Sequence, residues 1–233
     1  MRAFITIIAV AVSVYGERLL TDTFEKSIDD AVLSGAEIID DDDGGKCVRA
    51  VGAVMYPQSK YIDPREGTVD FRLRFNAESA LTNNATLTLF RAVAPGGKDS
   101  FANTIVFMRG WGTGALLLVG DKDGKRTTIN FPKIREWKIG EWHRIAFTWK
   151  TGEAGASDVA LYADGALVEK KSALTIIMDD ALWAKAMETP KSRSFNDYQY
   201  SCVWFGGCWG TKDADVFLDD LSIFKIARQY RRQ

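Results

Sequence analysis

Histidine is almost missing from this chain: His143 is the single one among 233 residues, and there are three cysteines, Cys47, Cys202 and Cys208. None of the cysteines has metal-ligand spacing, and a lone histidine cannot complete a zinc-type cluster. An odd cysteine count leaves at least one thiol unpaired within a monomer. Cys202 and Cys208 would stand about 20 Å apart on a straight strand, beyond disulfide reach. They could bridge only if Gly206-Gly207 turned the chain, so buried thiols are the expectation. Neither charge is in excess: Lys and Arg number 30 against 31 Asp and Glu, a net charge of -1. That removes the electrostatic case for nucleic acid and fits an uncharged or weakly charged ligand. Low-complexity segments and internal repeats are lacking. No apolar run reaches the roughly 20 residues a membrane span needs.

What is present begins with an N-terminal export pattern. Met1-Arg2 carries one positive charge, residues 3–14 are apolar except Thr6 and Ser13, and Val14-Tyr15-Gly16 ends in a small residue. This is the layout of a signal peptide over 1–16, cleaved after Gly16, with one domain over 17–233. No cysteine follows the apolar run, which disfavours a lipid anchor. The expected location is secreted or extracytoplasmic, in a periplasm or at a cell surface.

Strand patterns dominate the remainder. In 67–76, Val69, Phe71, Leu73 and Phe75 alternate with Asp70, Arg72, Arg74 and Asn76, a period of two that buries one face. Residues 141–150 repeat it with Ile145, Phe147 and Trp149. Further strands are expected over 85–93, 104–108, 115–119, 157–163 and 201–205. Asp123-Gly124 and Asp164-Gly165 mark hairpin turns, because Asp-Gly accepts the positive φ that tight hairpins need. About a dozen short strands spaced by such turns predict an all-β sandwich. Residues 178–200 break the pattern as a long irregular insertion.

Four stretches, in order, resemble the laminin-G-like domains of secreted bacterial proteins: Gly44-Gly45-Lys46-Cys47-Val48-Arg49-Ala50; Gly67-Thr68-Val69-Asp70-Phe71; 141–149 followed by Leu161-Tyr162-Ala163-Asp164-Gly165; and 216–224. The resemblance implies a two-sheet antiparallel jelly-roll sandwich of the concanavalin-A-like kind. It implies much less about function, because that fold carries carbohydrate binders, adhesion modules, enzyme accessory domains and structural modules. It also implies a structural calcium between the first and last strands. Glu25, in Thr23-Phe24-Glu25, and Asp219 would then be the ligands, since calcium takes oxygen donors. Hydrogen bonds or a salt bridge would satisfy Asp219 equally well. At least one of Asp219 and Asp220 should face an apolar layer unless a bulge intervenes, and a buried carboxylate needs a partner.

No catalytic residue is assigned. The Glu-x-Asp-x-x-Glu pattern of retaining glycosidases on this fold is absent. His143 has no neighbouring nucleophile motif and is read as structural. The acidic run 40–43 does not follow EF-hand spacing and is read as a solvated turn. Ligand binding is expected from the seven tryptophans, because sugar rings stack on indole. Trp142 and Trp149 lie in a strand and are expected in the core. Trp111 and Trp209 lie in glycine-flanked loops and Trp183 in the insertion; with Arg109 they form the candidate binding set. The leading expectation is a secreted, non-catalytic carbohydrate-binding or adhesion module whose partner is a glycan or polysaccharide. The alternatives are a structural or protein-interaction module of an extracellular assembly, and a glycan hydrolase or lyase with an unrecognised site.

Overall fold

The computed structural model describes residues 17–26, 31–50, 52–63, 65–76, 86–93, 104–109, 114–120, 125–152, 157–173, 202–206, 208–209 and 216–230. They form two antiparallel sheets packed face to face. The first sheet runs β13 (Ala166–Ala173), β12 (Ser157–Ala163), β11 (His143–Thr151), β6 (Glu66–Phe75), β16 (Val216–Phe224), β4 (Lys46–Arg49) and β3 (Glu37–Asp40), and β1 (Arg18–Asp22) also pairs with β16. The second runs β10 (Arg126–Phe131), β9 (Ala115–Gly120), β8 (Thr104–Arg109), β7 (Thr86–Val93), β14 (Cys202–Gly206), β5 (Ala53–Pro57) and β2 (Val32–Ser34), with β15 (Cys208–Trp209) beside β7.

The alternation in the sequence is the reason for the layering. Val69, Phe71, Leu73 and Phe75 of β6 and Ile145, Phe147 and Trp149 of β11 are fully buried between the sheets. Phe71 meets Phe205 and Phe107 of the second sheet edge-on, with ring centroids 5.8 and 6.4 Å apart, and Phe107 stacks on Phe147 at 6.3 Å. Such aromatic contacts across the layer contribute beyond their buried area. Gly67 is required by this packing: a Cβ there would stand 2.3 Å from Cζ2 of Trp149. The expected Asp164-Gly165 hairpin joins β12 to β13, and both residues have positive φ, 49° and 74°. At the sandwich edge, the Lys171 ammonium donates to the Thr128 carbonyl at 2.8 Å and ties the two sheets together.

β16 carries a bulge where the sequence left the question open. Its register with β6 shifts between Asp219 and Ser222, and Asp220 has φ 49°. The extra residue reverses the inward parity, so that Val216 and Leu218 before it and Leu221 and Ile223 after it all enter the core. Asp219 is thereby turned away from the apolar layer.

Two expectations are corrected. Trp149 is a core residue, but Trp142 is not. It stands seven positions from Trp149, hence on the opposite parity, and its indole lies half-buried on the outer face of the first sheet, between the guanidinium groups of Arg72 and Arg74 at 4.7 and 4.6 Å. The acidic turn is solvated only in part. Asp41 is buried and accepts from Arg74 at 2.8 Å and from the Trp142 indole at 3.2 Å, whereas Asp40 is exposed beside Lys46. Cys47 is a buried thiol without a disulfide, and burial pushes its pKa up to about 11. No helix among the described residues is long and apolar enough to cross a membrane.

Candidate functional site

The outward positions of β6, namely Thr68, Asp70, Arg72 and Arg74, organise the outer face of the first sheet. Asp70 is buried, with 1% of its surface exposed. A carboxylate in that position requires compensation. Arg144 Nε supplies it at 2.6 Å, and the Tyr230 hydroxyl donates to the other oxygen. Arg72 reaches Asp219 at 3.4 Å and Asp220 at 3.9 Å. Asp219 also accepts the Asp220 backbone N–H at 2.7 Å, yet its burial outweighs these contacts and raises its pKa to about 6.

Tyr230 belongs to a C-terminal segment, 225–230, laid across this face. The Thr68 hydroxyl donates to the Ile226 carbonyl and accepts the Arg228 N–H, at 2.6 and 2.9 Å. Glu66 accepts the Ala227 N–H at 3.0 Å. The segment forms one wall of a groove of about 360 Å³. Thr148 and Lys150 of β11 and Ala160 and Tyr162 of β12 lie along it, and Asp158, Leu167 and Lys170 flank the far side. The Tyr162 and Tyr230 rings are tilted against each other at 5.0 Å. Leu167 is 56% exposed. Asp158 accepts from Lys170 at 2.8 Å and from Ser172 at 3.0 Å, and these bonds hold its carboxyl below the usual carboxylate range. The groove therefore joins apolar ring faces to a charged hydrogen-bonding pair, the combination that suits a sugar.

The residues singled out from the sequence fall elsewhere. Trp111 and Trp183 lie outside the described residues, as do Asp123-Gly124, the insertion 178–200 and residues 1–16. Arg109 and Cys208, the residue before Trp209, are both registered on Leu87 of β7, from opposite sides. Arg109 and Trp209 thus belong to one end of the second sheet. His143 shares a hydrogen bond of 2.9 Å with Asp164 and stacks on Trp137 at 4.0 Å, an arrangement that fixes the start of β11. Glu25 lies past the end of β1, beyond Phe24 with φ 58°; its carboxylate accepts the Lys46 N–H at 2.7 Å above Gly45. The carboxylate within β1 is Asp22, buried, raised in pKa by that burial and hydrogen-bonded by Tyr56 and the Phe24 N–H. Glu25 and Asp219 accept from different donors, and among the described residues no three His, Cys, Asp or Glu side chains come together to hold a metal ion. Calcium takes six to eight oxygen ligands, so these two carboxylates would hold one only together with backbone carbonyls or water. The groove residues were missed because their signal is only an outward parity shared by Lys150, Asp158 and Tyr162, and the segment 225–230 carries no alternation that would give it a register.

These elements define the class: an all-β, two-sheet antiparallel sandwich with a lined surface groove. No protein-family model matches the sequence, and no curated protein matches it. Among solved structures, the chain is similar to the botulinum neurotoxin type G receptor-binding domain (14% identity, TM-score 0.52, 85% of this chain and 43% of that one). It is also similar to the serotype D binding domain (10%, 0.56, 84% and 43%) and to the serotype D ligand-binding domain in complex with N-acetylneuraminic acid (9%, 0.55, 85% and 43%). The likeness is one of fold, and the chain spans less than half the length of those proteins.

Proposed function

We propose that the protein is a non-catalytic carbohydrate-binding module, exported by removal of 1–16, that holds a saccharide in the groove beside the C-terminal segment. The observation that carries this reading is the groove itself, in which Tyr162 and Leu167 offer apolar surface next to the Lys170–Asp158 pair. Asp158 is the one carboxylate among the described residues lining it. A glycosidase needs two, one of them protonated, whereas Asp158 is held ionised. That one fold relative was solved with a sugar acid supports a saccharide as the ligand class. A protein-interaction module would present a contiguous apolar patch. Among the described residues the large exposed hydrophobics fall in three places: Leu33 and Ile38 together line a small pocket with Phe24, Ala31 and Val54, Ile139 stands before β11, and Leu167 is in the groove. Arg109 and Trp209 are proposed as a second contact zone on the grounds of their shared sheet end, and Trp111 and Trp183, which lie outside the described residues, are proposed with them from the sequence alone.

Affinity electrophoresis against a panel of polysaccharides tests the proposal. Retardation of the folded protein is expected, weakened by Tyr162→Ala and Leu167→Ala at nearly unchanged melting temperature. Uniform mobility through every gel would overturn it. Loss on replacing Trp209 or Arg109, with the groove variants unaffected, would move the site to the second sheet.

A further inference from the structure

We propose that the groove is selective for acidic saccharides and that Arg228 meets the sugar's negative charge; this rests on the groove being the saccharide site. Three cationic side chains line it, Lys150, Lys170 and Arg228, against the single carboxylate of Asp158. This local excess stands out in a chain whose net charge is -1.

The three cations are not equivalent. Lys150 is engaged by Glu66 at 3.2 Å and Lys170 by Asp158 at 2.8 Å. Arg228 has no carboxylate partner among the described residues. Its guanidinium lies over the Phe224 ring at 4.2 Å and near Tyr230 at 5.8 Å. Stacking on aromatic faces orients a guanidinium while leaving its edge N–H donors available, and that edge matches a carboxylate or sulfate better than an ammonium does. Its backbone is pinned as well, by the bond from its own N–H to Thr68. An anion arriving beside a pinned, unpaired arginine displaces no existing ion pair. At Lys150 or Lys170 it would have to compete with Glu66 or Asp158.

The experiment uses the whole chain in affinity gels containing dextran (neutral), polygalacturonate (carboxylate) or dextran sulfate (sulfate) at physiological salt. Retention by at least one anionic gel is expected to exceed retention by dextran tenfold or more. Arg228→Gln should reduce that retention at least tenfold, and Arg228→Lys, which keeps the charge, should recover it only in part. Lys170→Gln should reduce it less, and it decides the matter should the Arg228 variants fail to fold by near-UV circular dichroism. Comparison of the two anionic gels identifies carboxylate or sulfate as the group bound. Equal retention by dextran and both polyanions, indifferent to Arg228 and Lys170, would overturn charge selectivity while leaving the saccharide reading intact. Anionic retention unchanged in both variants would place the anion elsewhere and overturn the inference. No retention by any gel would remove both readings.

Discussion

The two strand-associated tryptophans of the first sheet show how one position of parity changes what a residue does. Trp149 is 1% exposed, donates to the Asp63 carbonyl at 2.8 Å and fills the space above Gly67. Trp149→Ala should cost roughly 3–5 kcal/mol in denaturant melts, the range for a large buried aromatic; Trp142→Ala should cost less, because that ring is half-buried among guanidinium groups. Asp219 sets a pH dependence. Its folded pKa, about 6, lies above the ordinary 3.8 because burial outweighs Arg72 and the Asp220 N–H. The folded state therefore binds a proton more tightly than the unfolded chain, so this group's contribution to stability falls as pH rises from about 4 through 6. Asp219→Asn should flatten the stability–pH profile over that window. Because Glu25 and Asp219 hold separate partners, excess chelator should leave the melting temperature unchanged. A fall reversed by calcium would restore the ion as a structural element.

At the scale of elements, the C-terminal segment behaves as part of the first sheet's outer layer. It is held by Thr68, Glu66 and the Tyr230 hydroxyl on buried Asp70. Tyr230→Phe leaves that carboxylate with Arg144 as its remaining side-chain donor, and a lost hydrogen bond to a buried charge costs about 1.5–3 kcal/mol. A lowered urea midpoint with an unchanged m-value is expected. The same substitution should loosen the groove wall and weaken saccharide retention. The bulge in β16 is the second device at this scale. One extra residue places both acidic side chains toward Arg72 and keeps four aliphatic residues in the core, so one short segment serves both faces.

For the whole molecule, the decisive feature is that β16, near the chain's end, lies between β6 on one side and β4 and β1 on the other. The first sheet cannot close until the last strand is present. Ending the chain at 215 should abolish the cooperative thermal transition seen by circular dichroism, because it removes Val216, Leu218, Leu221 and Ile223 from the core. Much of the architecture was legible beforehand. The alternation in 67–76 and the Asp164-Gly165 turn both reappear as expected, since burial of one strand face and the φ demands of a hairpin are written locally. The candidate site was far less legible. Tyr230 reaches Asp70 across 160 positions, and Arg228 reaches Thr68 across the same distance.

The sequence by itself determined the all-β class, the inward faces of β6 and β11 and the Asp164-Gly165 turn, because each depends on neighbours a few residues apart. Only the tertiary structure decided where Trp142 points, which strand carries the bulge that turns Asp219 outward, and that the segment 225–230 walls a groove. Those outcomes depend on strand register and on contacts between distant segments, for which a linear pattern carries no energy term.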